Sequence, residues 1–234
     1  MTPPTDPDLV PPRGLKVEGS APTRPVPVTL EGRHVVLGPL DPEKDAADLY
    51  PATHGAEKER LFAYLFDGPF ESEDAMAEAL RTAAASAENA TLAIRDRTTG
   101  RTLGRATFMR VELNHRTVEV GSILFSPALA RTPAATEAMY LMAAHAFSLG
   151  FRRYEWKCDA LNAPSRAAAL RYGFRFEGIF RKHMIIKGRS RDTAWFAMTE
   201  DDWPAVKAAF EAWLAPENFD AEGRQIRRLA DLRG

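Results

Sequence analysis

RTVEVGSILFSPALARTPAATEAMYLMAAHAFSLG, residues 116–150, is the stretch whose reading decides the fold. Its period changes midway. Val118 and Val120 alternate with Thr117 and Glu119, which marks 116–125 as a strand. From Pro133 to Gly150, Met139, Met142, Ala143 and Phe147 recur at helical spacing. Thr132 is placed to cap that helix, Pro133 suits its first turn and Gly150 its stop. The loop 126–132 thus delivers a strand to a helix start, where unpaired backbone N–H groups point outward beside the small Ala134 and Ala135. Such a junction binds phosphate groups, and Arg131 adds a charge-assisted contact. The same pattern also fits a capped helix with no ligand.

Upstream, TLAIRD (91–96) and TLGRATFMRVEL (102–113) are two more strand signals, and the short turns between the three runs imply antiparallel pairing. Before them come a strand in LEGRHVVLGPL from about Thr29, a helix capped by Asp41 with Pro42 in its first turn, an aromatic stretch ERLFAYLFDGPF (59–70), and an Ala-rich helix to about Ala87. Phe62, Tyr64, Phe66 and Phe70 read either as core or as the wall of a substrate site. Downstream, RRYEWKCD (152–159) is a strand, Ala163 to Tyr172 a short helix stopped by Gly173, FRFEGIFRKHMIIKG and DTAWFAMT two strands, and Asp201 to Leu214 a closing helix. The order predicts one α+β (mixed α/β) domain over 28–214. Eight of the 17 prolines fall within 1–27, read as a flexible arm. Residues 215–234 form a C-terminal extension.

Composition removes several classes of function. With 31 Lys and Arg against 32 Asp and Glu, the net charge is −1, which argues against general nucleic-acid binding. A single cysteine, Cys158, excludes an intramolecular disulfide framework and reads as a buried, unreactive side chain. No apolar run approaches the roughly 18 residues of a membrane span, and no secretory apolar segment opens the chain. A cytoplasmic setting is expected. The five histidines show no ligand spacing, so no metal is expected. There is no G-x-S-x-G, Walker loop, H-E-x-x-H or Rossmann fingerprint.

Glu119-Val120-Gly121, Thr136-Glu137-Ala138, Asn162, Ser165-Arg166, Gly173-Phe174 and Glu177-Gly178, in this order, resemble the GNAT acetyltransferase superfamily, and most closely its Rim-type branch of ribosomal-protein N-acetyltransferases. The resemblance runs from about Thr29 to Pro204. It implies a splayed, mostly antiparallel sheet holding acetyl-CoA. The pantetheine would lie along Ile123, Leu124 and Phe125, and the pyrophosphate on Arg131, Thr132, Ala134, Ala135 and Thr136. Asn162 would hold the cofactor or shape its turn. Glu119 would be the base and Ser165 the acid. The backbone near Leu124 would stabilise the oxyanion. The chain departs from the family pattern twice. Ala130 and Pro133 replace the first Gln/Arg and the central Gly of the phosphate loop, and Pro133 offers no N–H. Ala169 stands where many members carry a Tyr. The resemblance implies acetyl transfer to an amine of a small molecule or of a protein N-terminus; the oligomeric state is left open, a homodimer being the candidate. The alternative is an idle acyl-CoA-binding or interaction module of the same fold.

Overall fold

The computed structural model describes residues 13–233. Its strands are β1 (Leu30–Glu31), β2 (Val35–Pro39), β3 (Ala90–Asp96), β4 (Thr102–Glu112), β5 (Thr117–Phe125), β6 (Arg153–Asp159), β7 (Arg175–Ile186) and β8 (Arg189–Thr199). Its α-helices are α1 (Pro42–Thr53), α2 (Lys58–Phe62), α3 (Glu73–Ala84), α4 (Pro133–Ser148), α5 (Ala163–Arg171) and α6 (Trp203–Leu214). One sheet of order β1-β2-β3-β4-β5-β6-β8-β7 holds every strand. All neighbours pair antiparallel except β5 and β6. Parallel neighbours need a long crossover, and α4 supplies it. The expected α+β class and splayed antiparallel sheet are what the structure has.

Helix starts follow their capping residues. Asp41 accepts from Lys44 N at 3.3 Å, Ser72 from Ala75 N at 3.1 Å, Thr132 from Ala135 N at 3.2 Å and Asn162 from Ser165 N at 3.1 Å. LEGRHVVLGPL, expected as one strand, is two. The carboxylate of Glu137 on α4 accepts three successive backbone N–H groups, from Arg33 at 2.7 Å, His34 at 2.6 Å and Val35 at 3.0 Å. That cluster bends the chain between β1 and β2. A side chain at Gly32 would collide with the same carboxylate.

The sheet has two covered faces. On one, Val118, Val120, Ala106 and Phe108 pack with α4, α5 and α6 through Met139, Met142, Ala169 and Phe210. On the other, α1, α2 and α3 close over Leu124 through Ala46, Leu49, Phe62, Met76 and Leu80. Val118 and Val120 thus face one core and Leu124 the other, against the period of two. A bulge explains the switch. Thr107 pairs with Gly121 but Arg105 with Leu124, so Ala106 faces two residues of β5, and Ser122 there has φ 49°.

The expected arm, 1–27, lies outside the described residues as far as residue 12. Beyond it, Pro22 and Pro25 are buried, Thr23 N–H donates to Leu149 O at 3.0 Å, and Arg116 donates to the carbonyls of Glu18 and Gly19. At the other end, the 215–233 segment folds back. Leu229 is 1% exposed within the main core, and Asn218 Nδ2 bonds the carbonyls of Trp213 and Arg227.

Candidate active site

The bulge makes the site. β5 and β6 pair from Thr117↔Arg153 to Val120↔Trp156 and then part. From Gly121 to Phe125 the β6-facing edge of β5 has no ladder partner, so half of its backbone groups point into an open wedge. Gly121 stands at the apex, where any side chain would strike the sulfur of Met109. Ile123 and Phe125 are half-buried and Leu124 is 2% exposed. The edge expected to hold a pantetheine is therefore open along its backbone.

Glu119 lies just before the apex, on the face of α1–α3, and is 2% exposed. Arg110 Nη1 donates to its Oε1 at 2.8 Å. Lys157 Nζ lies 3.0 Å from Oε2, off the line of a directed hydrogen bond, and 2.7 Å from Glu155. Arg153 continues the row to Glu155 and Glu177. Opposite charges alternate along this row across four strands, and its buried members neutralise one another. Lys157 also sits 3.9 Å above the Trp195 ring. Sequence reasoning singled out Glu119 but missed Arg110 and Lys157. The period-two alternation of β6, which puts Glu155 and Lys157 on one face, was the signal available for Lys157.

Ser165 lies across the sheet from Glu119. Its Oγ accepts from Trp156 Nε1 at 3.0 Å, and Trp156 is the strand partner of Val120. The hydroxyl keeps its own proton to donate. Asn162 caps α5 through the Ser165 N–H and so shapes the β6–α5 turn. Cys158 is buried, and burial pushes its thiol up. Ala169 is wholly buried, with no hydroxyl in its place.

At the mouth, Thr132 Oγ1 takes the Ala135 N–H and donates to Leu129 O at 2.6 Å. Pro133 has no N–H. Ala134 N–H has no acceptor among the described residues, Arg131 is exposed at φ 65°, and Arg171 Nη1 reaches Thr136 Oγ1 at 3.0 Å. This helix start presents one free N–H, small side chains and two guanidinium groups, a donor set that fits a diphosphate despite Pro133.

The aromatic stretch divides. Phe62 is fully buried and Phe70 packs beside it, whereas Tyr64 and Phe66 are about 40% exposed. Tyr64 donates to Leu161 O at 3.3 Å. Arg105 grips Asp67 with two bonds of 2.7 and 2.6 Å, and Lys187 Nζ bonds the carbonyls of Phe62, Asp67 and Gly68. These clamps hold Phe66 as a wall on the Glu119 side of the wedge.

Residues 34–175 match the family model described as an acetyltransferase (GNAT) domain. The chain belongs to the GNAT acetyltransferases. A GCN5-related N-acetyltransferase from Brucella melitensis is 43% identical, over 92% of this chain and 98% of that one, with a TM-score of 0.89. A GNAT-family protein from Chromobacterium violaceum, described as a probable acetyltransferase, is 36% identical over 85% and 100% of the two chains, TM-score 0.76. The RimJ protein of Mycobacterium smegmatis, solved in complex with CoA-disulfide, shares the fold at 23% identity and TM-score 0.61, over 73% and 84%. A comparison with curated proteins returns no match. The GNAT family uses acetyl-CoA, so this chain is an acetyl-transferring enzyme. Among the described residues no helix is long and apolar enough to cross a membrane.

Proposed function

We propose that this GNAT enzyme moves the acetyl group of acetyl-CoA to an amine, of a small molecule or a protein N-terminus, by direct attack. The observation that carries the reading is the wedge beyond Val120↔Trp156, with Glu119 on one face of the sheet and Ser165 on the other. A carboxylate on the acceptor side and a hydroxyl on the opposite side suit a reaction that must move two protons.

A lysine-like amine is ammonium at neutral pH and must lose a proton before it attacks. Glu119 takes that proton, and because it is buried beneath Arg110 and Lys157 it does so through an intervening water. The amine nitrogen then bonds the thioester carbon, and the oxygen charge that develops is met by backbone N–H on the open edge near Leu124. Collapse breaks the C–S bond. The departing thiolate takes the proton of Ser165, and the second nitrogen proton passes through water to restore that hydroxyl. The products are the acetamide and CoA thiol, with one proton released. Ile123, Leu124 and Phe125 hold the pantetheine. Arg131, Thr132, Ala134, Ala135 and Thr136 hold the pyrophosphate, and Asn162 fixes the turn beside it.

Thiol release from acetyl-CoA, measured against pooled amines and N-terminal peptides, tests the reading. Amine-dependent release supports it. Tight CoA binding without turnover over a broad amine panel would leave an idle acyl-CoA-binding protein instead.

A further inference from the structure

Two arginines are buried among the described residues, Arg105 at 4% and Arg191 at 6% exposure. Burying a guanidinium is costly unless it is paired. Arg105 has its partner in the bidentate carboxylate of Asp67. Arg191 has none: no carboxylate among the described residues lies within ion-pair distance of it. Its Nε donates to Thr193 Oγ1 at 3.1 Å, which uses one of five N–H donors. Its guanidinium sits 5.6 Å from the ring centroid of Phe66, a weak attraction and not a counter-charge. Burial holds its proton affinity below that of a free arginine.

Its position makes the vacancy meaningful. In the β6–β8 ladder Thr193 pairs with Asp159 and Trp195 with Lys157. By the period of two, Arg191, Thr193 and Trp195 share the face of Asp159, Lys157 and Glu119. Arg191 therefore lies on the acceptor side of the wedge, facing the aromatic wall. The other cations there are spoken for. Arg110 and Lys157 are both engaged by Glu119, and Asp159 is turned to the Leu161 N–H at 2.9 Å. One planar, forked donor is left on this face, its residue nearly buried and its terminal nitrogens without a protein partner among the described residues.

We propose that Arg191 is the acceptor anchor and that the acceptor is a small amine bearing a carboxylate a few bonds from its nitrogen. A planar carboxylate matches the fork bidentately, and binding brings a counter-charge into contact where Asp159 and Glu119 attract the guanidinium only from beyond ion-pair distance. Phe66 flattens the entry beside it, so the amine end is directed toward Glu119. This inference rests on the reading of the enzyme as an amine acetyltransferase.

Matched substrates test it: amino acids against their amides, and peptides with an acidic second residue against their amide counterparts. The carboxylate member of each amino-acid pair should show a kcat/KM roughly 10- to 100-fold higher. Arg191→Gln should abolish that preference, and Arg191→Lys should keep part of it. Equal rates within the pairs for the wild-type chain overturn the anchor, as does a preference that survives Arg191→Gln. A preference confined to the peptides overturns the small-molecule assignment. A second arm needs no turnover. With CoA present, the same amino acids and amides are titrated calorimetrically into the wild-type and Arg191→Gln proteins. If no amine releases thiol, the acetyl-transfer reading fails. Carboxylate-selective binding lost in Arg191→Gln still upholds the anchor, and unselective binding overturns it.

Discussion

Glu119 is a carboxylate held by two cations and nearly sealed from solvent, so its replacement reads out chemistry and structure together. Glu119→Gln keeps the shape and leaves Lys157 its bond to Glu155, so the fold should survive. A positioned base is worth roughly 10²–10⁴ in rate. At pH 7 kcat/KM should fall within that range, and the deficit should narrow as pH rises and more free amine is present. Full activity at pH 7 in the variant, with an established acceptor, would end the base assignment. Ser165→Ala should behave differently. A thiolate with a pKa of about 8.5 leaves readily without help, so kcat drops little. The indole N–H of Trp156, which is 5% exposed, loses its acceptor, and that costs about 1–3 kcal/mol of stability. Denaturant melts paired with initial rates separate the two effects. A large loss of kcat with unchanged stability would reverse the roles given to the two side chains.

Elements marked by local chemistry are legible in the sequence: Thr132 and Asp41 cap α4 and α1 as expected, and Asn162 shapes its turn by capping α5. What escapes a sequence reading depends on distant partners. The break between β1 and β2 is set by Glu137, about a hundred positions away. The placing of β8 between β6 and β7 leaves no local mark. The aromatic stretch 59–70 splits into core and wall only because α1 and α3 cover Phe62 and leave Phe66 bare. Arg191 looks like one charge in a basic hairpin until the ladder buries it. The two chain ends make the same point and can be measured. Pro22 and Pro25 are buried and Thr23 bonds Leu149, so a chain starting at Val28 should melt a few degrees below one starting at Arg13, at roughly 2–4 °C per kcal/mol for this size. Equal melting temperatures would make 13–27 dispensable. Ending the chain at Leu214 should cost more, because it removes fully buried Leu229, worth about 1.5–3 kcal/mol, together with the bonds of Asn218, and it frees the Leu170 and Arg171 carbonyls that Arg233 holds.

Over the whole molecule, two histidines tie stability to pH on opposite faces of the sheet. On the α1 side, the His54 ring stacks on Tyr50 at 4.3 Å and borders Phe62 and Phe70. Its Nε2 accepts the Phe70 N–H at 2.9 Å, which only an unprotonated nitrogen can do. On the α4 side, the His145 ring lies 5.8 Å from that of Phe108, and its buried Nε2 has no partner among the described residues. Burial holds both rings below the ordinary histidine value. A group whose folded pKa is depressed binds more protons unfolded than folded between the two values, so stability rises with pH there. The contribution is complete above the unfolded value of about 6.5 and drains away as pH falls toward the lower folded values. The paired carboxylates act elsewhere. Arg153 holds Glu177 below the usual range and backbone bonds do so for Asp96, so their contributions are lost only further toward acid. Between pH 7 and 5 the melting temperature should therefore decline mainly through His54 and His145. The His54 share should also loosen the segment that carries Phe66, since protonation ejects the Phe70 N–H from its acceptor. A chain carrying both His54→Gln and His145→Leu should show a flatter profile over that interval. An unchanged slope in the double variant, or no slope in the wild-type chain, would assign the acid limb to other groups.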